Sequence, residues 1–297
     1  MTSTEDRNPR TAGIDLWPSG RIVEAVLAED AIAIQVATTA APALAAAVDG
    51  ALERTARGGG VHYFGAGASG RLSVLDATEA TPTFGTPPGF FTAHFPGGGR
   101  AVLDSTVDLE DAESSGYDDA AVLTDRDVAV GLTASGTTGY VAGALARAGE
   151  VGAMTVLITC NAGSPLATHA DVSVVAATGP EAITGSTRLK AGTATKVLLN
   201  AFSTALMVRS GRTYSNLMVN LVATNEKLHA RAVRIIEMAA GLGCADSAAA
   251  LARCDGDLPL ALLHALSGRT VDDCRRAHRD GGSVRAALDL LGGRDAR

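Results

Sequence analysis

VHYFGAGASGR, residues 61–71, decides the fold. Its first four residues are a short apolar run, and GAGASGR then forms a glycine-rich turn that opens a helical pattern. Strand, glycine turn, helix is the grammar of parallel α/β proteins. The same grammar recurs in DVAVGLT, residues 127–133, followed by ASGTTGY and an alanine-rich helix near 141–148. It recurs again in MTVLITC, residues 154–160, followed by NAGSPLATHA, while VSVVA at 172–176 reads as a further strand. Short apolar runs separated by helices imply a parallel sheet covered by helices on both faces. Ligands of such sheets sit beyond the carboxyl ends of the strands, where the glycine turns lie.

Outside these units the chain reads as helical. Residues 19–57 are alanine-rich helices interrupted near Pro42, because proline removes a backbone donor and clashes with the preceding turn. Residues 189–208 and 218–240 are long apolar-periodic segments, and their surplus apolar surface predicts a subunit interface. From Gly243 the pattern changes to short helices separated by glycine. The expected organisation is a phosphate-binding α/β domain with N-terminal helices over 1–240, joined through 241–243 to a small all-helical domain over 243–297.

Composition narrows the function. Of the 297 residues, 46% are hydrophobic and 19% charged, and 32 acidic against 25 basic residues give a net charge of -7. That balance excludes general attraction to nucleic acid or anionic lipid, so any anion site is local, built from backbone N–H groups and hydroxyls. Cys160, Cys244, Cys254 and Cys274 are widely spaced, with no C-x-x-C pair, and read as free thiols of a reducing cytoplasm. The mixed-charge start MTSTEDRNPRT is unlike a signal peptide, and there is no apolar run of about 18 residues to span a membrane. The six histidines are scattered without metal-ligand spacing, so neither metal nor other cofactor is expected.

Two loops carry the candidate chemistry. In the first, Gly67, Ala68 and Ser69 stand at a helix start, where N–H groups and a hydroxyl can face an anion. In the second, TASGTTG, Ser135, Gly136, Thr137 and Thr138 offer the same elements. Ordinary helix caps would use these residues too. Two such loops at adjacent strand ends suggest a phosphate cradle made without cations. A third segment, GSTRLKAGT, adds Ser186 and Lys190 near a helix start, and reads equally as a plain cap.

These loops resemble the phosphosugar loops of SIS (sugar isomerase) domains. GAGASGRLSVLDATEATPTFG, ITCNAGSPLA, GPEAITGSTRLKAGTATKVLLN and YSNLMVNLVATNEKL, together with TEDRNPRT near the start, are similar to the N-acetylmuramic acid 6-phosphate etherases, from about residue 4 through the helical tail. The resemblance implies an SIS-type parallel sheet sandwiched by helices, a phosphosugar substrate, a homodimer, and cleavage of a lactyl ether by elimination followed by water addition. The family's two catalytic glutamates fall on Glu79, in DATEATPTFG, and Glu110, in VDLEDAES. By resemblance, Glu79 is the acid that protonates departing lactate and Glu110 the base that takes the carbon-2 proton. By spacing alone, Glu79 is a surface residue at a helix end and Glu110 part of a solvated acidic run.

The chain departs from the family pattern at Thr137 and Gly139, where arginine and proline are usual, and at Ala80 and Thr81, where a Cys-Pro pair is usual. Two other functions stay open: a different SIS-type sugar-phosphate isomerase or lyase, and a non-catalytic sugar-phosphate-binding regulator.

Overall fold

The structure is a computed structural model that describes residues 4–104, 109–221 and 225–292. It divides into two compact units, Met1–Thr78 with Pro88–Leu206, and Glu79–Pro87 with Met207–Arg297.

The first unit is built on a parallel sheet of β1 (Val61–Gly65), β2 (Phe91–His94), β3 (Val128–Thr133), β4 (Met154–Thr159) and β5 (Val172–Val175), in the order β2-β1-β3-β4-β5. Every residue of β3 and β4 is buried, as the continuous apolar runs require in a sheet covered on both faces. The sequence reading missed β2. It is a four-residue edge strand, too short for a periodic pattern, and the helix after its glycine turn, Gly98–Leu103, has only six residues.

Helices α1 (Ser19–Thr39) and α2 (Ala41–Ala56) break at Ala40, with Pro42 inside the first turn of α2, where its missing N–H costs nothing. Helix α3 (Gly67–Phe84) follows β1 directly. The short α4 (Gly98–Leu103) and α5 (Glu113–Asp119) precede β3, and α6 (Gly139–Glu150) follows it, burying Tyr140, Val141, Ala144, Leu145 and Ala148 on one stripe. Asp76 of α3 is buried and accepts hydrogen bonds from Tyr63 Oη of β1 at 2.9 Å and from Ser203 Oγ at 3.1 Å. Ser203 lies in α7 (Lys190–Arg209).

In the second unit, α8 spans Glu226–Ala240, so the helix expected over 218–240 begins later. Asn225 caps it through Leu228 N–H, and Tyr214 and Leu217 pair in a turn just upstream. Helices α9 (Cys244–Arg253), α10 (Leu258–Ser267), α11 (Val271–Gly281) and α12 (Val284–Leu290) follow. Left-handed Gly241, Gly268 and Gly282 end α8, α10 and α11. Ile235 and Ile236 of α8 share one core with Leu251, Leu262, Cys274 and Leu288, so α8, which the sequence reading grouped with the sheet domain, packs with the terminal helices. Among the described residues no single helix is long and apolar enough to cross a membrane.

Candidate active site

Sheet register brings the glycine loops together. Gly65 pairs with Leu132, and Thr133 pairs with Thr159, so the segments after β1, β3 and β4 leave the sheet side by side. Strand order reverses between β1 and β3, the position at which open α/β sheets form a ligand crevice. The first loop supplies Gly67, Ala68 and Ser69 as the opening turn of α3, each partly exposed. The first N–H groups of a helix have no partner within it, so this turn suits an anion.

The second loop is held from within. Gly136 N–H donates to Thr133 Oγ1 at 3.0 Å, the hydroxyls of Thr133 and Thr138 are 2.8 Å apart, and those of Ser135 and Thr137 are 3.1 Å apart. The third segment braces it: Asn161 Nδ2 donates to the Ser135 carbonyl at 2.8 Å and Ser164 Oγ to the Gly136 carbonyl at 2.7 Å. Gly136 has φ +78, and a Cβ there would lie 2.6 Å from Ser164 Cβ, so only glycine fits. The amide of Gly136 and the hydroxyl of Thr138, both expected to face phosphate, are thus directed into the loop, while Ser135 and Thr137 keep hydroxyls at its surface. The sequence reading had not singled out Thr133, Asn161 or Ser164. The last two stand in ITCNAGSPLA, where Ser164 also caps a 3-10 turn through Leu166 N–H.

Glu110 comes to this second loop. Its carbonyl accepts from Tyr140 N–H at 2.9 Å and its Oε1 accepts from Thr138 Oγ1 at 3.0 Å. Close approach depends on Gly139, since a Cβ there would meet the Asp111 carbonyl oxygen at 2.7 Å. Of its acidic neighbours, Asp108 lies outside the described residues. Glu79, on α3, is exposed and belongs to the second unit, whereas Glu110 belongs to the first.

Lys190 is not at a ligand surface. It is fully buried, and its ammonium donates to Glu29 Oε2 at 2.6 Å. Glu29 also receives Arg10 through Nε at 2.5 Å and an Nη at 2.8 Å. These hydrogen bonds, Arg10 foremost, hold the Glu29 carboxyl down at about 2 against the opposing effect of burial. The amides of Lys190 and Ala191 donate to buried Glu181, so a carboxylate occupies the start of α7. The sequence reading saw only a cation beside a helix start, and burial with a carboxylate partner removes Lys190 from phosphate binding. Ser186 stays half-buried in the turn before α7, its N–H donating to the Ile183 carbonyl at 2.9 Å.

Beside the loops, His62 and His94 stack with their ring nitrogens 3.0 Å apart, and His94 also stacks on Phe64. Burial lowers His62, and it lowers His94 to about 4. A cavity of about 500 Å³ past β2 is lined by His94, Phe95, Leu109, Ser115 and Asp119.

A parallel sheet with paired hydroxyl and glycine loops at its switch point defines an SIS-type protein, and residues 102–205 match the SIS domain. Residues 43–149 match the glucokinase regulatory protein N-terminal SIS domain. The N-acetylmuramic acid 6-phosphate etherase of Thermobifida fusca is 53% identical over 88% of this chain and 86% of its own length. That of Brucella anthropi is 44% identical over 96% of this chain and 94% of its own. The chain belongs to the N-acetylmuramic acid 6-phosphate etherase family. Among solved structures, a phosphoheptose isomerase from Francisella tularensis is similar at a TM-score of 0.49 and 17% identity, over 64% of this chain and 98% of that one.

Proposed function

We propose that this protein is a carbon–oxygen lyase that cleaves the D-lactyl ether of N-acetylmuramic acid 6-phosphate, releasing D-lactate and N-acetylglucosamine 6-phosphate in cell-wall amino-sugar recycling. The observation that carries the reading is 53% identity to an etherase over 88% of the chain.

The sugar phosphate is held through its dianion by the opening turn of α3, at Gly67, Ala68 and Ser69, and by the hydroxyls of Ser135 and Thr137. Opening of the ring gives an aldehyde at carbon 1 and makes the carbon-2 proton removable. Glu110 takes that proton, the carbon 2–carbon 3 double bond forms, and the carbon 3–oxygen bond breaks. Glu79 donates the proton that lactate needs to leave, since an alkoxide is a poor leaving group. Water then adds at carbon 3, giving its proton to Glu79, while Glu110 returns a proton to carbon 2. Both carboxyl groups end as they began. The hydrogen bond of Glu110 to the second loop supports its assignment, as it fixes a carboxylate beside a phosphate cradle.

A homodimer and a cytoplasmic location belong to the same reading. Val23, Leu27 and Ile34 form an exposed apolar stripe on α1, with Leu16 just before it, which supports burial against a second copy. A phosphate ester does not cross a lipid bilayer unaided, so the enzyme meets it inside the cell. The test is to incubate the purified protein with N-acetylmuramic acid 6-phosphate and assay D-lactate. Release of lactate equal to substrate consumed is expected, and no release from a folded protein overturns the reading.

A further inference from the structure

Helix α5 presents Ser115, Asp118 and Asp119, spaced i, i+3 and i+4, on one face, and all three line the cavity of about 500 Å³ past β2. The adjoining face is pressed onto α6: a Cβ at Gly116 would lie 1.8 Å from the Tyr140 carbonyl oxygen, and one at Gly143 would lie 2.0 Å from that of Glu113. Backbones packed this closely hold the wall in place. Asp119 is held in addition, its Oδ2 accepting from Tyr140 Oη at 2.6 Å. A second wall is the end of β2, where the His94 ring is stacked on Phe64 and hydrogen-bonded to His62. Two lining residues put the cavity beside the proposed chemistry. His94 pairs with Phe64 at the end of β1, just before the first loop, and Leu109 immediately precedes Glu110.

The lining chemistry selects among the groups of the substrate. No lysine or arginine is found among the described lining residues, while Asp118 and Asp119 supply two carboxylates. Burial first, and the adjacent His62 second, lower His94 to about 4, so its ring is uncharged at neutral pH. Such a cavity repels the phosphate and the lactyl carboxylate. The acetamido group on carbon 2 is neutral, and each of its parts has a counterpart here. Its N–H suits Asp119, since a carboxylate accepts about four hydrogen bonds and Tyr140 supplies one of them. Its carbonyl suits the Ser115 hydroxyl, and its methyl suits Leu109, otherwise an exposed leucine. Carbon 2 is also the carbon from which Glu110 takes the proton, so the nitrogen bonded to it must lie beside Glu110, as the cavity does. We propose that this cavity is the acetamido pocket, in which Asp119 and Ser115 hold the amide and Leu109 the methyl. The proposal rests on the proposed function and deepens it: these residues distinguish an N-acetylated sugar phosphate from one with a hydroxyl at carbon 2.

The test measures, by calorimetric titration, the dissociation constants of N-acetylglucosamine 6-phosphate and glucose 6-phosphate for the intact protein and its Ser115→Ala and Asp119→Asn variants. D-lactate release from N-acetylmuramic acid 6-phosphate is assayed on the wild type alongside. The wild type is expected to bind the acetamido sugar at least about tenfold tighter. Ser115→Ala loses one donor and should weaken that binding about 3–10-fold, with glucose 6-phosphate held within about twofold. Asp119→Asn keeps an acceptor for Tyr140 but turns a donor toward the amide N–H, and should weaken the acetamido sugar about 10–100-fold with the same sparing of glucose 6-phosphate. No preference in the wild type, or equal weakening of both sugars in the variants, overturns the proposal; lactate release by the same wild-type preparation then leaves the proposed function standing. Wild-type affinity for both sugars in both variants also overturns it. Neither sugar bound and no lactate released removes the proposed function, and the acetamido pocket with it.

Discussion

The ammonium of Lys190, with no exposed surface, lies 2.6 Å from Glu29 Oε2, a residue 161 positions earlier in the chain. Glu29 sits on the buried stripe of α1 with Ala33 and Ala37, so the pair ties the first long helix to the start of α7. Arg10 adds a second cation to the same carboxylate, and nearby Asn8 Nδ2 and Thr11 Oγ1 donate to the carbonyls of Pro180 and Ala182. The N-terminal segment is fastened across the loop that precedes α7.

Removing Lys190 strips the buried Glu29 carboxylate of one of its two cations while Arg10 stays in place, which costs less than the loss of a sole partner, about 1–3 kcal/mol. Lys190→Met is expected to lower the unfolding free energy by about that amount in denaturant titrations. The double variant Lys190→Met, Glu29→Gln should recover part of the loss. A single variant as stable as wild type would show that the pair is solvated in solution.

Two pH windows separate two buried groups. Glu29 is depressed from 4.5 to about 2, so the unfolded chain binds its proton first on acidification; its contribution is complete above about pH 4.5 and is lost toward about pH 2. His94 falls from 6.5 to about 4, through burial first and the adjacent His62 second. There too the unfolded state binds the proton first, and stability declines from about pH 6.5 to about pH 4. Thermal unfolding of His94→Gln should lose the upper part of this slope and Glu29→Gln the lower part. Slopes unchanged in both variants would contradict these assignments.

Gly139 opens α6, and its side-chain-free surface lies against the Asp111 carbonyl. A Cβ at 2.7 Å from a backbone oxygen forces that backbone to move, and Glu110 is its neighbour. Gly139→Ala is expected to lower kcat for lactate release about tenfold or more while the fold persists, as read by circular dichroism. Wild-type turnover would show that the 110–111 segment adapts without moving the base.

Fold class was legible because β1, β3, β4 and β5 each carry a short, mostly apolar run beside glycine or polar turns. The edge strand β2 was hidden, since Phe91–His94 has neither length nor period. Both loops were visible as glycine and hydroxyl clusters, but their internal wiring was not. A hydroxyl has the same letter whether it meets a neighbour in its own loop, as Ser135 meets Thr137, or a distant carboxylate, as Thr138 meets Glu110. Lys190 misled for a related reason: its ion-pair partner is on a distant helix, and no local spacing announces a long-range buried pair. Glu110 lay in an acidic run that reads as solvated, and only family likeness singled it out before Thr138 gave it a structural partner.

The proposed elimination and hydration break the bond between carbon 3 and the ether oxygen. Carrying out the reaction in water enriched in oxygen-18 and deuterium, and analysing both products by mass spectrometry, tests this directly. The proposed reaction places one heavy oxygen at carbon 3 and one deuterium at carbon 2 of N-acetylglucosamine 6-phosphate, with unlabelled oxygen in D-lactate; Glu110→Gln should abolish the labelling and Glu79→Gln the lactate release. Heavy oxygen in lactate, or no deuterium at carbon 2, would contradict it.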